Sequence, residues 1–301
     1  MDDLLSDIFR RLELKSCVYF SRDFWSPWAM EIDVTGIAQF HVVTRGTCVL
    51  EFNGQVYEAV TGDVFLLPRG GGHILADKPN RNARPGGEVM QSFQSDTPLF
   101  ATGEVATQLI CGHFEYRNEL KHPITEQLPP VIHIRAFENA APGTISSILP
   151  MLVREMNTPQ PGMTTVVERL AEVLLVQVLR SYLREQKHPT GFLAALTDPR
   201  LTKAIKTMHE RIDDDLSLDE LAQVAGMSRS SFAAQFKSVT GISPGGYLTQ
   251  WRMFHACELL RVEKLPVVEV AVRVGYESEI SFSRAFKRSL EITPAEYRRA
   301  H

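Results

Sequence analysis

Short segments of alternating hydrophobic and polar residues dominate the first part of the chain. Residues 40–68 and 105–116 show this alternation, and turn signals such as Asn53-Gly54 and the Thr-Gly-Asp at 61–63 separate the segments. Strands at this spacing are typical of an antiparallel barrel or sandwich. Residues 15–135 are therefore predicted to form mainly strands, with a polar loop at 77–88.

After about residue 140 the hydrophobic period becomes helical. It predicts one helix at 144–156 and a longer one at 164–186, separated by a Pro- and Gly-containing break. The broad apolar stripe of the longer helix contains Val167, Leu170, Leu174, Val178, Leu179, Tyr182 and Leu183. We expect most of this stripe to pack against the sheet, with part of it available as a dimer seam. The linker to the last region is predicted at residues 187–191 and 197–200.

The last region contains an internal repeat. Residues 220–226 align with 269–275 at an offset of 49, and residues 236–247 align with 286–297 at an offset of 50. Each copy begins with a short helix, predicted at 217–225 and at 266–274.

Each copy has the parts of a helix-turn-helix. A glycine permits the sharp turn, a serine caps the second helix, and two phenylalanines four residues apart anchor that helix to the core. The glycines are Gly226 and Gly275, the serines are Ser228 and Ser278, and the phenylalanines are Phe232, Phe236, Phe282 and Phe286.

The other face of each second helix is predicted to enter a major groove of DNA. Arginine can bind guanine, serine can bind several bases, and alanine or isoleucine can contact a thymine methyl group. The candidate base contacts are Arg229, Ser230, Ala233, Ala234, Glu279, Ile280, Ser281, Ser283 and Arg284. Lys237, Lys287 and Arg288 are the candidate phosphate contacts. A helix at 246–260 is expected to hold the two units about one turn of duplex, ~34 Å, apart.

Net charge alone does not indicate a nucleic-acid partner, because the whole chain carries -4. Residues 1–194 contain 17 basic and 22 acidic residues, a net charge of -5, and residues 195–301 contain 15 and 14, a net charge of +1. The basic residues near the predicted DNA face are Arg229, Lys237, Arg252, Arg284, Lys287, Arg288, Arg298 and Arg299. No run of 18 apolar residues occurs, and the N-terminus is acidic and amphipathic. We expect a cytoplasmic protein without membrane association.

Residues 197–301 resemble the DNA-binding domain of the AraC/XylS family. The resemblance is carried by LAQVAGMSRSSF at 221–232, FKSVTGISP at 236–244, and VGYESEISFSRAFKRSLEITPAEYR at 274–298. It implies seven helices, promoter DNA as the ligand and RNA polymerase as a partner, and we also expect a homodimer. A scaffold protein that does not bind DNA is the competing hypothesis, and it predicts no salt-dependent binding to duplex.

The first domain carries part of a cupin signature. Gly62, Pro68, Gly70 and His73 have the spacing of the second cupin motif, whereas the HxH pair of the first motif is absent and only His41 lies nearby. A metal-dependent cupin enzyme fused to a DNA-binding module is therefore the less favoured alternative, because an open catalytic metal needs several fixed ligands. We expect a protein that is not an enzyme.

The cysteines suggest a sensor site. The four cysteines are scattered without a CxxC pair, so reduced thiols are expected. Cys111 and His113 are two residues apart on a predicted strand and share a face. If that face is internal, they can converge with His73, and Cys17 can complete a tetrahedral zinc site. A thiol in such a setting can instead react with oxidants.

This domain resembles the cupin-type sensor domains of AraC-family regulators, including the branch that responds to reactive chlorine species. Cys17 and Cys111 fall where that branch carries its sensing cysteines, and His73 follows LLPRGGG as the resemblance implies. Three signals stay open: a redox change, zinc, or an organic effector lined by Trp25, Trp28 and Phe40. Purely structural roles for these cysteines and histidines are the remaining alternative.

The sequence thus predicts an α+β protein of two domains. Residues 1–140 form a cupin-like antiparallel sensor barrel, residues 141–190 a helical dimerisation segment, and residues 197–301 an all-α DNA-binding domain with two helix-turn-helix units.

Overall fold

The computed structural model describes residues 4–95, 99–116, 122–136, 145–158, 160–186 and 191–301, and these residues form two compact units. The sheet unit contains the described residues of 15–115 and 129–187. The helical unit contains those of 1–14, 116–128 and 188–301. The division differs from the predicted one, because two segments of the predicted sensor domain group with the C-terminal helices.

The described residues contain nine strands. They are β1 Lys15–Trp25, β2 Ala29–Ile32, β3 Ala38–Phe52, β4 Gln55–Val60, β5 Val64–Leu67, β6 His73–Ala76, β7 Arg84–Pro85, β8 Val105–Glu115 and β9 Ile132–Ile134. The strand order is β1-β8-β3-β6-β2-β7, with β4 and β5 also on β3 and β9 on β5. Every pair is antiparallel except β2 with β7. The predicted antiparallel sheet is confirmed as a curled sheet.

The described residues also contain thirteen helices. They are α1 Leu4–Arg11, α2 Gly86–Ser92, α3 Pro123–Glu126, α4 Ile145–Asn157, α5 Met163–Glu185, α6 Phe192–Ala195, α7 Pro199–Glu210, α8 Leu218–Val224, α9 Arg229–Thr240, α10 Pro244–Arg261, α11 Val267–Arg273, α12 Glu279–Leu290 and α13 Pro294–Ala300. None of them combines the length and hydropathy needed to cross a membrane. The predicted helix start at Thr144 and part of the predicted linker, 187–190, lie outside the described residues.

The sheet unit has an aromatic core that fixes the strand bearing His73. Phe24, Trp28 and Phe65 are fully buried inside the curled sheet. The turn before β6 needs Gly70, whose φ is +56° and whose missing side chain lets the backbone of Ile37 approach closely. The core and this turn together hold β6 against β3.

Helices cover one part of the sheet. Helix α5 packs on β1, where the Ser16 hydroxyl donates a 2.7 Å hydrogen bond to the carbonyl of Glu168. Four of the seven predicted stripe residues are buried within the sheet unit: Val167, Leu174, Val178 and Leu179. The polar loop predicted at 77–88 is in part wrong, since it contains β7 and the beginning of α2.

The helical unit is centred on α10. The His209 ring stacks on Trp251 with 3.6 Å between ring centroids, and its Nε2 lies 2.7 Å from the Tyr247 hydroxyl. Helix α1 joins this core because an Asp7 carboxylate oxygen lies 3.1 Å from His209 Nδ1. His122, which caps α3, is buried against the same aromatic rings. Seven helices, α7 to α13, occupy residues 199–300, as the family resemblance implied.

Candidate nucleic-acid interface and sensor site

The first helix-turn-helix consists of α8 and α9. Ser217 and Glu220 form a reciprocal capping box that starts α8. Gly226 then adopts a φ of +66°, and the Ser228 hydroxyl accepts a hydrogen bond from the amide of Ser231 to start α9. Phe232 lies on the inner face of α9, fully buried. The predicted glycine, cap and anchor of this copy are therefore confirmed.

The second helix-turn-helix repeats this design in α11 and α12. Gly275 has a φ of +74°, and Ser278 caps α12 by accepting a hydrogen bond from the amide of Ser281. Phe282 and Phe286 are fully buried and contact each other edge to face, as Phe232 and Phe236 do in the first copy. Helix α11 begins differently, because Pro266 precedes it and supplies no side-chain cap.

The predicted DNA-facing residues lie on the outer sides of α9 and α12. Two of them, Ala233 and Ser283, are half-buried. The exposed ones are Arg229, Ser230, Ala234, Lys237, Glu279, Ile280, Ser281, Arg284, Lys287 and Arg288. Arg229 forms a 2.9 Å ion pair with Asp219, so it must leave this partner to bind a base. In this fully described region no ion pair involves Arg284.

Two of the basic residues that the sequence grouped near DNA have structural roles. The Arg252 guanidinium donates hydrogen bonds to the carbonyls of Ile212 and Asp214 and lies over the Tyr276 ring. Arg298 donates to the carbonyl of Leu265. The expectation that Arg252 belongs to the DNA-facing cluster is wrong, because its donors hold the turn before α8.

A buried chain of polar side chains lies in the sheet unit. His41 Nδ1 is 3.0 Å from Cys111 Sγ, and His41 Nε2 is 2.8 Å from His73 Nε2. His73 Nδ1 is 2.8 Å from the carbonyl oxygen of Gly71. The strand register creates the contact, since β3 pairs with β8 so that His41 is opposite Cys111.

One arrangement of protons satisfies the whole chain. The Gly71 oxygen can only accept, so His73 donates from Nδ1 and accepts at Nε2. His41 then donates from Nε2 and accepts the thiol proton of Cys111 at Nδ1. The hydrogen-bonded chain therefore contains one neutral thiol, that of Cys111, and two neutral imidazoles, those of His41 and His73.

Burial favours the same neutral forms. Desolvation raises the pKa of the Cys111 thiol well above its usual range. Desolvation, followed by the nearby His73, lowers the pKa of His41 well below its usual value. Desolvation lowers the pKa of His73 to about 4, although the Gly71 carbonyl acts in the opposite direction. The chain is thus ordered and uncharged near neutral pH.

The predicted convergence of four sensor residues is wrong in part. Cys17 is exposed, and its cross-strand partner is His113 rather than Cys111. His113 Nε2 lies 2.9 Å from a carboxylate oxygen of Glu115, away from His73. The structure joins His73 to Cys111 through His41, which the sequence ranked as a weaker candidate. Within the described residues, no group of three or more His, Cys, Asp and Glu residues is arranged to hold a metal ion.

Comparison with known proteins accounts for both units. A cupin family model matches residues 3–184, and a helix-turn-helix domain model matches residues 221–300. An AraC-like transcription regulator of Streptomyces lividans is 32% identical over 300 residues, which are 99% of this chain and 98% of that protein. The chain belongs to the AraC-like family of transcriptional regulators.

Two further proteins are similar to this chain. The RCS-specific HTH-type transcriptional activator RclR of Escherichia coli (strain K12) is 27% identical over 264 residues, 87% of this chain and 84% of that protein. The crystal structure of the DNA-binding domain of AdpA, in complex with a target DNA, is 34% identical, covers 34% of this chain and 92% of that chain, and has a TM-score of 0.33. As an AraC-family member with a cupin domain, the chain is a DNA-binding transcriptional regulator.

In this AraC-family chain, His41 was predicted only as a weak candidate for the sensor site. His41 lies in β3, where residues 38–43 are all buried as in an ordinary core strand. Its partners are 32 and 70 residues away. The available signal was the position of His41 where a first cupin motif carries histidines.

Proposed function

We propose that this regulator senses a thiol-reactive oxidant at Cys111 and that oxidation alters DNA binding by α9 and α12. The single observation that carries the proposal is the hydrogen-bonded order of Cys111, His41 and His73 in the core of the sheet unit. His41 provides an acceptor for the thiol proton, which a buried thiol needs in order to react. The likeness to a regulator named RCS-specific supports a reactive chlorine species as the oxidant.

The proposed chemistry uses hypochlorous acid as a two-electron oxidant. Cys111 sulfur takes the chlorine and loses its proton, which His41 accepts and passes to the departing hydroxide to give water. A second thiol then displaces chloride, so that a disulfide and HCl form. Cys17 is the proposed second thiol, and the net reaction consumes two thiols and one hypochlorous acid.

A disulfide between Cys17 and Cys111 requires β1 to move. Cys17 is opposite His113, so Cys111 is its diagonal neighbour, and such Cα atoms lie ~7–8 Å apart. This exceeds the usual range for a disulfide. The bulge between Val18 and Phe20 is the proposed place where β1 shifts.

Chain connectivity offers a route from β1 to the DNA-binding helices. Strand β1 starts at Lys15, and the residues before it, including α1, belong to the helical unit. Helix α1 and the residues just after it are tied to α10 through ion pairs of Arg11 with Glu258 and of Glu13 with Arg261. A shift of β1 therefore pulls on α1 and biases the helical unit between two states.

We further propose a cytoplasmic homodimer that contacts RNA polymerase at the promoter. The predicted seam on α5 needs revision, since Val167, Leu174, Val178 and Leu179 are already buried within the protomer. The exposed Val166 and Val173 of α5, with Met151 of α4, form the better candidate seam.

A zinc site and a cupin enzyme are the alternatives to an oxidant sensor. The geometry favours neither, because the Nε2 atoms of His41 and His73 are 2.8 Å apart and already bind one another. A metal between them would require both rings to separate, Cys17 is exposed, and His113 is paired with Glu115. We propose a protein without catalytic activity. Elemental analysis of pure protein tests the zinc alternative. One equivalent of tightly held zinc would contradict oxidant sensing by thiols alone.

The experiment for the oxidant proposal measures DNA binding in phosphate buffer before and after one equivalent of hypochlorous acid. Fluorescence anisotropy on a duplex chosen by in vitro selection gives the Kd. We expect at least a tenfold change in Kd for the wild type and none for Cys111→Ser. Cys48→Ser is the matched control, because Cys48 is equally buried but is not among the hydrogen-bond partners of His41 in the described chain, and it should respond like the wild type. An equal response of Cys111→Ser would overturn the proposal.

A further inference from the structure

The sheet unit contains an apolar cavity next to the Cys111 and His41 pair. Its volume is about 320 Å³, within the range of small-molecule sites. Phe20, Met30 and Met90 supply much of its apolar wall, and Cys111 and His41 also line it. The predicted effector residues do not form this site, since Trp28 and Phe40 are core residues with 1% exposure. The cavity is therefore a different site from the one expected.

The charged residues at this cavity are all acidic. Glu31 and Asp33 line it, and within the described chain neither carboxylate has an ion-pair partner and no lysine or arginine lines the cavity. The lining histidine, His41, is kept neutral by its burial. An anionic ligand would therefore meet repulsion here, and a cation would meet two uncompensated carboxylates.

A buried acceptor adds a second preference. Gln39 lines the cavity, is 4% exposed, and its Oε1 has no hydrogen-bond partner in the described chain. Its Nε2 donates a 3.2 Å hydrogen bond to the Thr35 hydroxyl, so Oε1 is the amide atom left without a partner. A buried acceptor without a partner is costly, and an N–H donor would relieve this cost.

An aromatic ring completes the chemistry of the site. The Tyr19 ring lines the cavity and is 41% exposed. Ammonium groups bind favourably to the faces of such rings. The site thus combines carboxylates, an amide oxygen and an aromatic face with an apolar wall. This combination fits a cation that carries an apolar tail.

We propose that this cavity binds a protonated primary or secondary amine with an apolar tail, and that the bound tail covers Cys111. The ammonium group donates to Gln39 Oε1 or to the carboxylates of Glu31 and Asp33, and the tail lies against Phe20, Met30 and Met90. The shielding of Cys111 rests on the proposed oxidant function, whereas amine binding itself does not.

The first test uses three probes of equal chain length and different charge: octylamine, octanol and octanoate. Isothermal titration calorimetry with the full chain, without DNA or oxidant, gives each Kd. We expect octylamine to bind at least tenfold more tightly than octanoate, with octanol between them. Octanoate binding as tightly as octylamine would overturn the proposal, and so would no binding of octylamine.

Matched variants identify the site. Glu31→Gln combined with Asp33→Asn should weaken octylamine binding about tenfold and leave octanol binding unchanged. Glu58→Gln removes an exposed carboxylate of β4 that does not line the cavity, and it should bind octylamine like the wild type. Equal octylamine affinity in the double variant and the wild type would refute the assignment.

The shielding of Cys111 has its own readout. Mass spectrometry follows the modification of each cysteine by methyl methanethiolsulfonate with and without saturating octylamine. Modification of Cys111 should slow at least fivefold, while that of Cys48, which does not line the cavity, stays constant. An unchanged rate of Cys111 modification would show that the tail of the bound amine does not cover the thiol. Loss of the oxidant response alone would contradict the proposed function and leave amine binding intact.

Discussion

The Nδ1 atom of His41 lies 3.0 Å from the Sγ atom of Cys111, and both residues are almost completely buried. Strands β3 and β8 bring them together across 70 residues of sequence. A buried thiol that is hydrogen bonded to a neutral imidazole has a defined path for its proton. This distinguishes Cys111 from Cys48, which is equally buried.

The first prediction concerns the order in which thiols react in the native protein. Cys17 is exposed, whereas Cys48, Cys111 and Cys257 are each 2% exposed. With iodoacetamide, we expect one fast thiol and three that react at least tenfold more slowly, because the reagent must reach the sulfur. Peptide mass spectrometry identifies the fast site as Cys17, and Cys17→Ser should eliminate the fast phase. A fast phase at Cys111 would show that its buried position is wrong.

The second prediction concerns the pH dependence of stability. Burial lowers the pKa of His73 to about 4, from an ordinary value of 6.5. Between these values the unfolded chain binds a proton that the folded chain excludes, so the stabilisation is complete above pH 6.5 and is lost as the pH falls toward 4. For one histidine the loss is about 3 kcal/mol.

Hydrogen exchange measures this effect locally. After correction for intrinsic rates, exchange in β3 and β6 peptides should accelerate as the pH falls from 7 to 4.5. His73→Gln should reduce the slope, whereas replacing the exposed C-terminal His301 by Gln should leave it unchanged. A flat wild-type profile over this range would show that His73 is not a buried neutral imidazole.

The third prediction separates base contacts from phosphate contacts on α12. Arg284 is exposed and has no ion pair, so Arg284→Ala should cost about 1–3 kcal/mol of binding and relax the base preference at one position. Lys287→Ala should weaken binding to all sequences and reduce the salt slope by about 1. Anisotropy titrations at several salt concentrations measure both effects.

Arg273→Ala is the control for these variants. Arg273 is an exposed arginine of α11 that is paired with Glu263 and Glu269, outside the recognition helix. The Arg273→Ala variant should leave both the base preference and the salt slope of DNA binding unchanged. The assignment of roles on α12 fails if Arg284→Ala and Lys287→Ala give the same uniform loss.

The sequence predicted the helix-turn-helix units well because their determinants are local. Gly226 with Ser228, and Gly275 with Ser278, act within three residues of the turns they shape. Strands β3 and β8 were also predictable, because alternation along a half-buried strand is a local pattern. The strands with which β3 and β8 pair were not predictable from the sequence.

The sensor site was less predictable because it depends on register. Period-two alternation placed Cys111 and His113 on one face of β8, but Cys111 contacts His41 whereas His113 pairs with Glu115. The contact between His41 and Cys111 follows from which residues of β3 and β8 are opposite. A single sequence does not contain this information.

The unit boundaries were missed for a similar reason. Helix α1 looks like an independent amphipathic segment, and its partners Glu258 and His209 are more than 200 residues away. Gln127, near α3, donates to the carbonyl of Thr240 in α9. Long-range contacts of this kind assign both segments to the helical unit.

A hydroxyl-radical footprint on a selected operator shows whether α9 and α12 of one chain both bind DNA. Two recognition helices presented by one chain should protect two segments about one helical turn apart. A double change of Glu279→Ala and Arg284→Ala in α12 should remove protection of one segment and retain the other, which α9 holds. A single protected segment that is unaffected by changes in α12 would show that α12 is not a DNA-recognition helix.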